Sequence, residues 1–452
     1  MSEQELLGLA GRVVDGARHG EQVEAYALHE VSTEVQVRAG ELESLTSAES
    51  RGIGVRVVTD GRQGYAYTAV TSDEGLREVL EQARANAAVA TPDEANGLPG
   101  PAEVPALDGL ADPVLAGTPV EDRIAVALAL DGATRGADPR ILDATTTHYG
   151  DGHVQVALVS TQGLSLTQER TDAHAFTEAI ARAGDETRTA LGLTLGRGLG
   201  DLDVEAAGRE AAQLATRLFG ARKPRSRRCQ IVLAPFVAAQ FLGVLGAALS
   251  AEAVLKGRSL FAGRIGDDVA APGVTLLDDG LRPGALGTAP WDAEGVPQQR
   301  TELIADGGLV SYLHDTWTAR RTGGGAHSTG NASRAGFKSS PGVFPSNLYL
   351  ESGGSSADQV VRSVQDGVYV QDVMGLHSGA NPISGEFSVS FAGLAIRDGQ
   401  LAEPIHEAAV SSTILDILRG IRAVATDQRF LPFGGSLGGS TTLIEQMSIS
   451  GA

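Results

Sequence analysis

Apolar residues recur at helical spacing in several stretches of the first half of the chain, with alternating patterns between them. Gln4 to Ala17 sets Leu6, Leu7, Ala10, Val13 and Val14 on one side of an amphipathic helix. Ser72 to Ala90 predicts a second helix with Ser72 as N-cap. Pro119 to Ala133 predicts a third, with Thr118 as cap and Pro119 in the first turn, where its missing N–H would go unpaired anyway. Val204 to Phe219 carries alanines and leucines at the same spacing. Strand-like runs occupy Val23 to Leu28, Glu34 to Arg38, Gly52 to Val58 and Gly64 to Val70, the last two joined through the turn former Asp60-Gly61. Ile141 to His148, Val154 to Ser160, Leu164 to Glu169 and Ala173 to Arg182 read as further strands, bent at Gly150-Asp151-Gly152 and at Gln162-Gly163. The proline-rich stretch 91–117 predicts an exposed loop.

The second half is rich in glycine and in alternating runs: Thr301 to Ile304, Leu309 to Leu313, Asn347 to Leu350, Gly367 to Val370, Phe387 to Phe391 and Leu394 to Ile396. Ile231 to Leu249 is apolar except for Gln240 and follows a basic cluster, so length and charge alone would permit a membrane span. Pro235 argues against it. It divides the run into a short strand, Cys229 to Ala234, and a buried helix, Pro235 to Leu249, with proline in the first turn. The expected class is α+β. An N-terminal α/β-layered domain over 1–220, with a mixed or antiparallel sheet and flanking helices, precedes a mostly antiparallel β domain over 225–452.

With 56 acidic against 36 basic residues the formal charge is −20, which argues against nucleic acid as a direct partner. The single cysteine, Cys229, excludes an intrachain disulfide; it opens an apolar strand and reads as a buried, inert thiol. The start Met1-Ser2-Glu3-Gln4-Glu5 lacks the basic-then-apolar pattern of a signal peptide, so a cytoplasmic protein is expected. No G-x-S-x-G elbow occurs, and the runs Gly323-Gly324-Gly325 and Gly434-Gly435 match neither a P-loop nor a dinucleotide fingerprint.

Gly375 to Ser390 is the most informative run. Gly375, Gly379, Pro382 and Gly385 permit tight bends, while Phe387 and Val389 alternate with Ser388 and Ser390 in the strand that follows. His377, Asn381, Ser384 and Glu386 are the candidate contact residues there. This run, with Ala392 to Gly399 after it, resembles the C-terminal signature of the TldD/PmbA family of metallopeptidase-related proteins. Thr318 to Asn331, Asn347 to Gly353 and Asp366 to Val370 fit the same pattern in the same order.

The resemblance implies a test for zinc. The zinc-bearing, TldD-type subunits carry an HExxxH helix, whose histidines ligate the metal and whose glutamate serves as general base, and a cysteine ligand near the C-terminus. Aligned on Lys256 to Phe261, the three functional positions of that helix fall here on Leu242, Gly243 and Ala247, and the stretch 427–438 has no cysteine. None of these side chains binds zinc or moves a proton. His406-Glu407 begins like a zincin motif but has no second ligand one turn on, and His29, His148, His153, His174, His314 and His327 read as surface or structural histidines.

By resemblance the chain is therefore a PmbA/TldE-like, zinc-free subunit with no cofactor of its own. Its expected partner is a TldD-like zinc peptidase subunit, and the pair would cleave unfolded or small peptides. His377, Ser384 and Glu386 share one tight loop, whereas catalytic sets are normally assembled from separated segments, so substrate or partner contact is the favoured role. Two alternatives remain open at this point: an autonomous peptide hydrolase, or a regulatory binding protein without a peptidase partner, as the family's older description as a modulator of DNA gyrase implies. If the run after Pro235 is a buried helix, replacing Leu242 or Leu245 by Asp is expected to cause misfolding, read as loss of the cooperative thermal transition.

Overall fold

The computed structural model describes residues 1–433 and 435–451, without the side chains of residues 143–145. Of the Gly434-Gly435 run, Gly434 lies outside the described residues. Helix α1 (Glu3–Val14) opens on a capping box between Ser2 and Glu5 and buries Leu6, Leu9, Ala10 and Val13. It packs on an antiparallel sheet of β1 (Gln22–Arg38), β2 (Glu41–Thr59), β3 (Arg62–Thr68), β4 (Ile141–Ser160), β5 (Ser165–Ala183) and β6 (Glu186–Gly196), in the order β3-β2-β1-β4-β5-β6. Helices α2 (Asp73–Val89), α3 (Val120–Gly136) and α4 (Val204–Thr216) complete the layer on the same face. Alternation along β1 divides the molecule: Val23, Ala25, Ala27, Val35 and Val37 turn to the helices, and Glu24, Tyr26 and Leu28 turn to the second half of the chain.

Three local expectations need correction. The third helix is capped by Pro119, not Thr118, with no side-chain bond to its first turn. Gly150-Asp151-Gly152 is no turn. It runs inside β4, opposite Ser32 to Glu34 on one side and Asp172 to His174 on the other, because both neighbours supply ladder bonds. Glycine at 150 serves a close approach instead: a Cβ there would lie 2.5 Å from the His174 ring and 2.9 Å from the Glu34 carboxylate. The 91–117 stretch is irregular up to a 3-10 turn at Leu115–Gly117, and it is not wholly exposed: Ala95, Leu98 and Leu115 are buried.

The second half begins with β7 (Arg227–Leu233) and α5 (Pro235–Ala248), which has Pro235 in its first turn and ends just before α6 (Ala251–Leu255). There follow β8 (Leu276–Asp279), β9 (Arg300–Ala305), β10 (Gly308–Leu309), α7 (Thr316–Thr322), β11 (Ala332–Ser333), β12 (Gly342–Val343) and β13 (Asn347–Leu350). The chain continues through α8 (Ala357–Arg362), β14 (Asp366–Met374), α9 (Leu376–Gly379), β15 (Glu386–Arg397), β16 (Gln400–Thr413) and α10 (Ile414–Gly420). It closes with β17 (Ile421–Val424), β18 (Arg429–Leu431), β19 (Ser436–Gly439) and β20 (Thr442–Ser450). One sheet has the order β10-β9-β8-β13-β19-β18 and the other β16-β15-β14-β7-β20-β17; among the strand pairs of the described residues, only β13 with β19 and β7 with β14 run parallel. Helix α5 contacts strands of both sheets, and Leu242 and Leu245 are fully buried in the largest core. A helix enclosed this way needs apolar residues on nearly every face. Among the described residues no helix is long and apolar enough to cross a membrane.

The first sheet meets the second half through buried charge. Arg56 of β2 donates to Glu24 of β1 at 2.5 Å and to Glu294 at 2.7 Å, and Arg334 also pairs with Glu24. All four side chains are essentially closed to water. Removing one partner strands the others without compensation. Arg56→Met is therefore expected to destabilise the fold by about 3–5 kcal/mol, measured by urea denaturation; a loss within the noise of the extrapolation would show that the network contributes nothing.

Candidate functional site

Helix α5 lies against the segment 427–438, so the two stretches compared above for metal ligands do meet in space. Phe433 packs edge-on against Phe236 at 4.9 Å, and a Cβ on Gly243 would stand 3.2 Å from Leu437 and 3.6 Å from the Phe433 carbonyl. Leu242 is buried and Ala247 exposed. The side chains facing one another are hydrocarbon, and among the described residues no three His, Cys, Asp or Glu side chains group as a metal site. This donor set does not fit zinc. Cys229 is buried and free, with its pKa raised by burial, far from an activated thiolate.

A cavity of about 720 Å³ adjoins this place, bounded by β1, β4 and β5 on one side and by 286–346 and 430–436 on the other. Leu431, Pro432, Gly435 and Ser436 border the cavity, while Phe433 and Leu437 beside them stand against α5. Arg334 lines it with its guanidinium over the Tyr26 ring at 4.6 Å; its Nε donates to the Ala293 carbonyl at 3.0 Å. Asp292, also part of the lining, accepts the N–H groups of Glu294, Val296 and Ala332 at 2.9–3.0 Å. Burial and the charge of Glu294 raise its pKa against those donors. Burial would raise that of Glu294 too, but Arg56 overrides it and holds Glu294 ionised.

The 375–390 loop is a separate feature. Met374 ends β14, Gly375 turns the chain with φ of 78°, and His377 sits exposed on α9, making no hydrogen bond within the described residues. Asn381 Oδ1 accepts the N–H groups of Ile383 at 2.9 Å and Ser384 at 3.1 Å, closing an Asx turn. Ser384 Oγ donates to Glu386 Oε2 and accepts the Glu386 N–H, both at 3.3 Å. Asn381, Ser384 and Glu386 therefore hold the loop's own shape, while His377 stands apart from them and faces solvent.

Three domain descriptions of one family cover most of the chain: PmbA/TldA metallopeptidase domain 1 at 23–87, the central domain at 114–219 and the C-terminal domain at 226–451. The chain belongs to the PmbA/TldD metallopeptidase family. A metalloprotease of Methanothermobacter thermautotrophicus is 28% identical, with 90% of this chain and 89% of that one covered. The metalloprotease PmbA of Escherichia coli O157:H7 is 24% identical over 99% of this chain and 96% of its own. The crystal structure of TldE from Thermococcus kodakarensis superposes with a TM-score of 0.89 over the whole of both chains at 22% identity, which shows the shared fold.

Within this family member, several buried polar residues went unremarked in the sequence. Glu24 and Arg56 interrupt apolar strands, and that interruption was the available signal; Arg334 and Asp278 gave none, lying in irregular or weakly patterned stretches. Asp278 accepts Asn331 Nδ2 at 2.6 Å and the Ser346 N–H at 2.8 Å. Burial raises its pKa from 3.8 to about 7, although those donors favour the ionised form. Because the folded value lies above the unfolded one, its contribution to stability is full below about pH 4 and is lost as pH rises through about 7, a difference of at most about 4 kcal/mol. Urea midpoints at pH 5 and pH 8 test this: the native chain is expected to lose more stability across that interval than Asp278→Asn, and equal losses would reject the assignment.

Proposed function

We propose that this chain is the zinc-free subunit of a TldD/TldE-type heterodimeric metallopeptidase, completing the chamber that holds an extended peptide while a TldD-like partner supplies zinc and general base. The observation that carries this reading is that Gly243 on α5 stands against Leu437 and the Phe433 carbonyl, with Leu242 buried in the same hydrocarbon core and Ala247 exposed and without a ligating group. The family's name calls for a metal, and the side chains at these positions offer it no donor. In this reading the chain works in the cytoplasm, and residues 1–220 and 225–452 form its two domains. Strand β18 supports peptide capture, since it stands at the edge of its sheet with Phe430 and Leu431 on the cavity. An extended chain held there by main-chain bonds would be recognised with little demand on sequence. His377, with Asn381, Ser384 and Glu386 shaping its loop, provides contact to the partner or the peptide.

Reconstitution tests the reading. Prepared without an affinity tag, the chain alone is expected to hold no stoichiometric zinc and to leave unstructured peptides intact; adding the zinc subunit is expected to produce chelator-sensitive cleavage. His377→Ala should lower that cleavage about ten- to hundredfold with an unchanged melting curve, because the ring makes no hydrogen bond within the described residues. Asn381→Ala should instead lose about 1–2 kcal/mol of stability, since two N–H groups lose their acceptor. Cleavage by the chain alone in the presence of chelator would reject the proposal.

A further inference from the structure

Half of β2 has an open edge. From Gly52 to Val58 its residues are buried, and the pairing with β3 runs from Thr59 back to Ile53, which stands opposite Thr68. From Glu41 to Glu49 every residue is exposed, and among the described residues the strand pairs there with β1 alone. Turn geometry tells which main-chain groups are left over. Asp60 and Gly61, with φ of 48° and 71°, make a two-residue turn between Thr59 and Arg62, and residues flanking such a turn exchange ladder bonds with each other. The odd-numbered positions of β2 therefore turn their N–H and C=O groups toward β3. Alternation carries this to Arg51, Glu49, Ser47 and Leu45, where β3 is absent and the groups reach solvent. The irregularity opposite Gln36 and Val37 ends the series there.

Edges of this length are normally covered, bulged, or blunted by lysine or proline. The run Leu45 to Arg51 has no lysine or proline, and its register with β1 is regular. Leu42 and Leu45, opposite Val37 and Val35, keep 45% and 43% of their surface uncovered beside it. Free main-chain groups next to exposed leucines suit a further strand. A short peptide is a poor occupant, because both faces of the edge are open and nothing encloses its side chains; a folded subunit brings its own layer to cover the leucines. Charge then selects the subunit. Between Glu41 and Arg51 stand three carboxylates, Glu41, Glu43 and Glu49, and one guanidinium, in a chain of net charge −20, so two copies of this edge repel each other. A strand carrying lysine or arginine is attracted.

We infer that Leu45 to Arg51 is the edge on which the partner subunit docks, adding a strand that bears lysine or arginine and continuing the six-stranded sheet across the interface. The existence of a partner rests on the functional reading above; the edge it uses and the charge it carries go beyond that reading. Main-chain bonds hold the two sheets together, and the acidic side chains reject a second copy of this chain.

Hydrogen exchange of the full chain, alone and with the TldD-like zinc subunit added, reads the edge directly. The amides of Leu45, Ser47, Glu49 and Arg51 are expected to slow about tenfold or more in the pair, whereas those of Thr46 and Ala48 are held by β1 in both states. Ser47→Pro removes one outward N–H without touching the β1 ladder, a position where an edge strand tolerates proline. Leu45→Lys sets a cation against the basic strand. Each is expected to weaken the pair about ten- to hundredfold, measured by sedimentation, with the melting curve of the chain alone unchanged in Leu45→Lys. A pair that forms without slowing these amides, or native affinity in both variants, overturns the docking edge and leaves the functional reading intact. Self-association of the chain alone with the same amides slowed overturns the choice of a basic partner. A pair that protects the edge yet cleaves no peptide upholds the edge and rejects the peptidase reading, and the absence of any pair rejects both.

Discussion

Two carboxylates and two guanidiniums, sealed between the first sheet and the second half of the chain, set how those halves fit. Glu24 and Arg56 stand opposite each other in the ladder of β1 and β2, on the face away from the helices. Glu294 and Arg334 reach them from the other side. The acid oxygens are all occupied: Glu24 takes one bond from each arginine, and Glu294 takes Arg56 and the Thr316 N–H. The donors are not, since Arg56 Nε and Arg334 Nη1 remain unpaired. A cluster satisfied on its acid side and deficient on its donor side is formally neutral yet leaves positive character at its edge. Buried ion pairs of this kind contribute little net stability, but they penalise any other docking of the two surfaces heavily, so the network fixes where Trp291 and Arg334 stand against Tyr26.

The elements with the strongest local signals were legible in the sequence. The capped helix after Ser72, the break at Pro235 and the strand Asn347–Leu350 follow from a cap, a proline and a clean apolar run. Strand continuity was not legible. Gly150-Asp151-Gly152 has turn chemistry, yet it runs straight because neighbours on both sides pair with it, and those neighbours are distant in sequence. Tertiary pairing overrides a local preference in such places. The same limit hid the cavity. Tyr26, Arg170, Arg334 and Ser436 are far apart along the chain, and no spacing rule connects them.

The 375–390 loop shows what sequence can and cannot assign. Its turn residues and its polar candidates were both apparent, but three of the four candidates bond within the loop, and only His377 is left without a bond of its own. Composition identifies groups capable of contact. Geometry then decides which of them are already engaged.

The helix where the family's metal chemistry would be expected is informative through its packing. Gly243 is close enough to Leu437 that even a methyl group would push that side chain by a few tenths of an ångström, and Gly246 is held as closely by Leu348 and Pro345. A glutamate placed at 243 would lead its carboxylate toward the Leu437 side chain and the Phe433 carbonyl, neither of which can donate a hydrogen bond to it. Restoring two histidines at 242 and 247 would leave that conflict in place, because Leu242 is itself surrounded by the largest core. The surroundings of α5 are hydrocarbon, so a metal ligand set there would require its neighbours to change as well as the three positions themselves.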